Sequence, residues 1–224
     1  KRDNLYFCFM KNDFIITVAW PEGLCEPAGS WYDYFATKNG KYRVGHSAAI
    51  LINSKTKKAH YFDFGRYHTP KGYGRVRDVE TDGDLAMIDV EIENGAMANL
   101  EAVLLHLSAM KATHGEGKMY ASVIMNVSFD SAFSTAKNIQ EKGMLPYGPF
   151  TRKGTNCSRF VAEVIQSSGV SFIKKIRFQY PFCISPSPKR NVCIANHHYY
   201  IVENNNCVKV KKSKLRAYFS SIEQ

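Results

Sequence analysis

The sequence predicts an α+β fold, and three observations carry that reading. Apolar, β-rich runs bounded by turn residues recur along the chain, and two of them face each other across the polar stretch 53–58. Three other stretches place apolar residues at helical spacing. The two kinds of segment do not alternate regularly, which favours hairpins and packed helices over a doubly wound sheet. A chain of 224 residues can bury one core without staples. The expectation is therefore a single domain over 1–224, with 68–118 and 171–224 as elaborations.

Taken in order, Phe14-Ile15-Ile16-Thr17-Val18-Ala19-Trp20 is an apolar run stopped by Pro21, and predicts a buried strand. Residues 21–41 carry turn residues and the aromatics Trp31, Tyr32, Tyr34 and Phe35, which suggests a packed loop or short helix. Strands at 42–52 and 59–67 should form a hairpin around 53–58. Residues 69–84 read as a loop rich in Gly and charge, and 85–92 alternates apolar with acidic residues like a half-exposed strand. The stripe Leu100, Val103, Leu104, Leu107, Met110 predicts a helix within 97–113, and 119–127 a further strand. Helices are expected at 128–142, with Ser128 as N-cap and Gly143 beyond, and at 156–168, closed by Gly169. Short strands are expected near 175–184, 191–202 and 206–211.

Composition narrows the function classes. Hydrophobic residues at 45% and aromatics at 13% are globular values. No apolar run approaches the roughly 18 residues of a spanning helix, so no integral membrane segment is expected. The net charge of +10 comes from scattered Lys and Arg, densest at Lys209, Lys211, Lys212 and Lys214. Without an accompanying motif this does not predict nucleic-acid binding; a basic surface equally attracts acidic polymers such as cell-wall material. The six cysteines, at 8, 25, 157, 183, 193 and 207, form no CxxC pair and no zinc pattern. With no secretory leader evident, a cytoplasmic protein with reduced cysteines is expected. His197-His198 on a strand would point to opposite faces, and Asp82-Gly83-Asp84 lacks the remaining ligands of a calcium loop, so neither predicts a metal site.

The chemistry concentrates at Gly154-Thr155-Asn156-Cys157-Ser158-Arg159-Phe160-Val161. With Asn156 or Thr155 as N-cap and Phe160, Val161, Val164 and Ile165 as buried stripe, Cys157 falls in the first turn of a helix. Unpaired N–H groups and the helix dipole there favour a thiolate, the nucleophilic form, and can stabilise an oxyanion. A buried structural cysteine is the competing reading. A thiol nucleophile needs a base and an orienting group. His46 opens the strand Gly45-His46-Ser47-Ala48-Ala49-Ile50-Leu51-Ile52, and His60 lies on the returning strand Ala59-His60-Tyr61-Phe62-Asp63. If the turn centres near Lys55, His60 faces Ile50 and shares a sheet face with His46; a shift of one residue brings Asp63 opposite His46 instead and moves His60 to the other face.

This hairpin, followed about a hundred residues later by Asn-Cys-Ser-x-Phe-Val-x-x-Val, resembles the circularly permuted NlpC-type papain-like enzymes. That group includes relatives of bacterial cell-wall amidases and the lecithin–retinol acyltransferase family. In it the histidine strand precedes the cysteine helix, the reverse of standard papain-like enzymes. The resemblance covers 45–67 and 147–168. It implies a papain-like fold, with the cysteine helix packed on a central antiparallel sheet carrying His46. It also implies a site of Cys157, His46 and, as third member, His60, with Asp63 as the alternative. The implied activity is cysteine-dependent hydrolysis of an amide bond, as in a cell-wall peptide, with no metal and no organic cofactor. A lipid acyltransferase or thioesterase, or an inactive binding domain, are the other functions the fold would carry. Tyr147, in the loop before the cysteine helix, is a candidate to bind substrate or oxyanion, and Arg66 a candidate for a substrate carboxylate.

Overall fold

The structure, a computed structural model, describes residues 12–25, 42–43, 45–149, 151–179 and 187–211. The aromatic stretch 31–35, Cys8, Cys183, Lys212 and Lys214 lie outside these residues. The strands in chain order are β1 Asp13–Trp20, β2 Leu24–Cys25, β3 Tyr42–Arg43, β4 His46–Ile52, β5 Ala59–Gly65, β6 Tyr73–Arg77, β7 Ile92–Glu93, β8 Ala96–Met97, β9 Met119–Val127, β10 Leu145–Pro146, β11 His198–Glu203 and β12 Asn206–Lys211. The α-helices are α1 Leu100–Ala109, α2 Phe129–Gln140, α3 Cys157–Ser167, α4 Phe172–Gln179 and α5 Pro188–Ala195.

One antiparallel sheet dominates, in the order β10-β6-β5-β4-β1-β9-β11-β12. β1 lies inside it, hydrogen-bonded to β4 on one side and β9 on the other. Every residue from Phe14 to Trp20 is buried, which is why the strand reads as a continuous apolar run rather than an alternating one. On one face Ile15, Leu51, Phe62, Phe64 and Ile124 pack under α2 and the stripe Phe160, Val161, Val164, Ile165 of α3. On the other face Ile16, Val18, Ile50 and Tyr61 pack against Leu85, Val90 and the Val103, Leu104, Leu107 stripe of α1. The fold class is α+β, as the sequence predicts.

The helix ends follow their local chemistry. The Ser128 hydroxyl accepts from the Ser131 N–H and caps α2, and the Asn156 side chain accepts from the Arg159 N–H and caps α3. Gly143 and Gly169 follow these helices at positive φ.

Elsewhere the structure corrects the sequence reading. Residues 85–92 are not a strand. A 3₁₀ turn at Gly83–Leu85 leads into irregular chain that buries Leu85 and Val90, the latter held by a hydrogen bond from its N–H to the Lys57 carbonyl. The apolar positions serve the core without a ladder. Conversely, the Gly- and charge-rich stretch 69–84 contains β6, paired to β5 through Asp63↔Arg77, Phe64↔Val76 and Gly65↔Arg75. Gly74 is there for close approach, since a Cβ would lie 2.7 Å from the Phe64 ring. Beyond α3, α4 and α5 occupy stretches expected as strands, and β11 begins only at His198. Because His197 precedes that strand, the two imidazoles sit 4.0 Å apart rather than on opposite faces.

The turn into β4 depends on Gly45. Its φ is +65, its N–H bonds the Gly23 carbonyl at 3.1 Å, and an added Cβ would collide with the Trp20 carbonyl and Pro21. Gly83 has open space around it. Gly45→Ala should therefore lower stability by about 2 kcal/mol or more, and Gly83→Ala by no more than about 0.5, in urea unfolding.

Candidate active site

Cys157 is the first residue of α3 and His46 the first of β4. By the strand alternation His46 shares its face with Ala48 and Ile50, whereas α3 packs on the opposite face. As terminal residues the two are brought together at the end of the sheet, near enough for each to shift the other's ionisation. Both are nearly buried, at 5% exposed for Cys157 and 8% for His46.

The hairpin register decides which of the two candidates reaches His46. β4 and β5 pair Ala48↔Asp63, Ile50↔Tyr61 and Leu51↔His60. Asp63 and Tyr61 therefore share the face of His46, and His60 points to the other. The sequence expectation for His60 is corrected accordingly. Its ring, half-buried, packs 5.3 Å from each of Phe129 and Phe133 beneath α2. The turn supplies the physical reason: the Lys57 N–H bonds the Asn53 carbonyl and the Asn53 N–H the Lys58 carbonyl, which closes the hairpin one residue off a Lys55-centred register.

Asp63 is fully buried. Its Oδ2 lies 2.8 Å from His46 Nε2, and accepts from the Tyr61 hydroxyl at 2.9 Å and Arg77 Nη2 at 2.6 Å; Oδ1 accepts from Arg77 Nε at 3.0 Å. Burial alone would raise its pKa, but the hydrogen bonds and charges of His46 and Arg77 hold it below the usual carboxylate range. As an ionised acceptor it requires Nε2 to carry a proton, which leaves Nδ1 for the thiol. Trp20, the direct cross-strand partner of His46, stacks on the imidazole at 6.0 Å and 18°, and the Tyr67 ring meets it edge-on at 6.0 Å.

The electrostatics favour a charged pair. Burial lowers the His46 pKa, yet the Asp63 hydrogen bond and charge, with a further share from Cys157, carry it up to about 9. Burial raises the Cys157 thiol, yet His46 outweighs it, helped by Ser158 and Tyr147, and the thiol falls below its ordinary value. Ser158 lies buried with its Oγ 3.8 Å from Cys157 Sγ. Tyr147 lies beside the thiol, its hydroxyl donating to Sγ at 3.8 Å. The Tyr147 N–H bonds the Gly72 carbonyl, a bridge joins Tyr147 to Thr155, and its ring stacks on Phe64 at 5.8 Å and 9°. Arg66 places its guanidinium 5.3 Å over the same ring.

Sequence reasoning missed Trp20, Tyr61, Tyr67 and Arg77. Period-2 alternation from Asp63 would have marked Tyr61 once the register was known; Arg77 carried no signal, because its strand looked like a loop. Among the described residues no three His, Cys, Asp or Glu side chains gather as a metal site, and no helix is long and apolar enough to cross a membrane.

A family model described as type VI secretion system effector TseH-like matches residues 15–173. The chain belongs to this family. The matched span of the TseH-like family runs from β1 to the start of α4 and contains Cys157, His46, Asp63 and Tyr147. Among solved structures, the chain is similar to the crystal structure of the type VI secretion system effector TseH, at 21% identity and a TM-score of 0.60, over 89% of this chain and 98% of that one. The likeness to TseH supports a papain-like fold for the α+β architecture. No curated protein matches.

The register separates the two candidates for third member. Asp63→Asn should shift the pH dependence of Cys157 alkylation upward, toward or above that of an ordinary thiol. His60→Ala should leave it unchanged, as read by mass-spectrometric mapping of iodoacetamide labelling between pH 5 and 9.

Proposed function

We propose that this TseH-like protein is a cysteine hydrolase that cleaves an amide bond through a thioester on Cys157. The single observation behind this reading is the chain Cys157–His46–Asp63 at a helix N-terminus, with the imidazole held charged and the thiol's pKa lowered. The order of its parts, His46 strand before Cys157 helix, supports kinship with the permuted NlpC-type enzymes.

In this mechanism the Cys157 thiolate attacks the amide carbonyl carbon, and the C=O electrons move onto oxygen. First-turn N–H groups of α3 and the Tyr147 hydroxyl stabilise that oxyanion. His46 gives its Nδ1 proton to the amide nitrogen as the C–N bond breaks, and the amine departs. Water then attacks the thioester carbonyl, His46 takes one of its protons, and the Cys157 thiolate leaves with the bonding pair. Asp63 holds the imidazolium throughout. The chain's own residues supply every proton transfer.

The substrate we propose is a peptide of the cell wall. Two things support it: the family's description as a secretion-system effector, which points to a target in another cell, and the net charge of +10, which suits an acidic polymer. In this reading the cytoplasm is where the protein is made rather than where it acts. A lipid acyl substrate would call for an apolar surface beside the thiol. The exposed side chains Phe172, Ile173 and Ile176 belong to α4, beyond the far end of α3 and roughly 16 Å along that helix from Cys157. They do not supply it. An inactive binding domain is disfavoured by the buried Asp63–His46 hydrogen bond beside a thiol whose pKa is lowered.

Iodoacetamide should label Cys157 below the pH at which an ordinary thiol titrates, and His46→Ala should move that inflection upward, because burial then acts on the thiol without its counter-ion. Purified muropeptides should be cleaved by the wild type and not by Cys157→Ala. Wild-type labelling that follows an ordinary thiol titration would sink the nucleophile assignment, and intact muropeptides would sink the substrate.

A further inference from the structure

We infer that Arg77 is a positioning residue for the base: its guanidinium fork clamps both oxygens of Asp63 and so fixes the imidazole of His46 with Nδ1 turned toward Cys157. The inference rests on the nucleophile reading above and adds to it a fourth residue, which touches neither the thiol nor a substrate.

The geometry is that of a built support. Nε reaches Oδ1 at 3.0 Å and Nη2 reaches Oδ2 at 2.6 Å, so the contact is bidentate and sets the plane of the carboxylate as well as its charge. The remaining arm, Nη1, donates to the Ala112 carbonyl at 3.0 Å, which holds the guanidinium from behind. Its carbon lies 3.6 Å from the centre of the Tyr67 ring, the ring whose edge meets His46. The side chain is 3% exposed and is placed by the pairing Asp63↔Arg77 between β5 and β6. A counter-ion needed only for neutrality would serve from one nitrogen. Here three donors and a ring fix the orientation, which the planar fork allows and an ammonium does not. Among the described residues, the titratable groups around this cluster include Tyr61 on β5, Tyr67 and His68 just after it, Asp82, which feels the Arg77 charge while paired to Arg75, His114, whose ring stacks on Tyr67 at 4.5 Å, and Tyr147 ahead of α3.

The test compares the wild type with Arg77→Lys, Arg77→Gln, Asp63→Asn and the double variant Asp63→Asn/Arg77→Gln. The readout is the pH profile of iodoacetamide labelling at Cys157, with near-UV circular dichroism to select folded protein. Positioning predicts that Arg77→Lys, which keeps the charge, still lowers the labelling rate at pH 6 by several-fold, and Arg77→Gln by about tenfold, as the inflection moves up. It also predicts that the double variant matches Asp63→Asn, since Arg77 acts through that carboxylate. If Arg77→Gln alone fails to fold, Arg77→Lys, which keeps a cation beside the buried carboxylate, still carries the test. A wild-type profile in Arg77→Lys, or a double variant worse than Asp63→Asn, overturns the inference. An ordinary thiol profile in the wild type overturns instead the nucleophile reading beneath it.

Discussion

A carboxylate taken out of water costs several kcal/mol unless charge and hydrogen bonds replace its hydration, and Asp63 has no solvent exposure at all. Its compensation comes from three side chains on adjacent strands: Arg77 on β6, Tyr61 two residues earlier on β5, and His46 on β4. Burial also holds Tyr61 well above its ordinary pKa, so it stays a donor. Each of these groups would be expensive to bury alone. Together they tie the end of the sheet into one polar cluster, and the orientation of the imidazole follows from it.

The site also needs two faces of the sheet to meet. His46 projects on the α1 side, whereas the cysteine helix packs on the α2 side. Only residues at the ends of their elements can bridge that division, and both are first residues. Gly45 permits the turn that starts β4 at that place. Asn156 does the same for α3, by taking the Arg159 N–H so that the helix begins with Cys157. The capping that makes the helix start also leaves other first-turn N–H groups for a developing oxyanion. Local folding signals and chemistry are therefore satisfied by the same few residues.

How far this was legible in the sequence depended on the kind of signal. Capped helices with an apolar stripe, such as α2 and α3, were readable because both the cap and the period are local. The hairpin was readable too, but its register was not, because a side-chain period of two leaves a one-residue slip undetermined until the turn's hydrogen bonds are known. That slip is the whole difference between His60 and Asp63. β6 was hidden for another reason. Arg75 and Arg77 look like solvated charges, and Gly74 like a loop, until their partners Asp82, Asp63 and Phe64 are in place. Residues 86–91 failed in the opposite sense: an alternating pattern was satisfied by irregular chain packed under α1.

The proposal that Cys157 is reactive rather than structural is supported by comparing what burial does to two cysteines. Cys207, on β12, is partly buried beside Glu101, and both burial and that charge push its thiol up, the ordinary outcome for a cysteine packed in a protein. Cys157 is more deeply buried, so the same effect acts on it more strongly, yet its pKa moves the other way. Burial is outweighed first by His46, then by Ser158 and Tyr147, and His46 is a cation there because Asp63 keeps it charged up to about pH 9. Remove the carboxylate and burial would neutralise the imidazole, and with it the thiolate. In the proposed mechanism the reactivity of the cysteine is thus a property handed along from β6 through β5 and β4 to α3, rather than one that a helix N-terminus confers by itself.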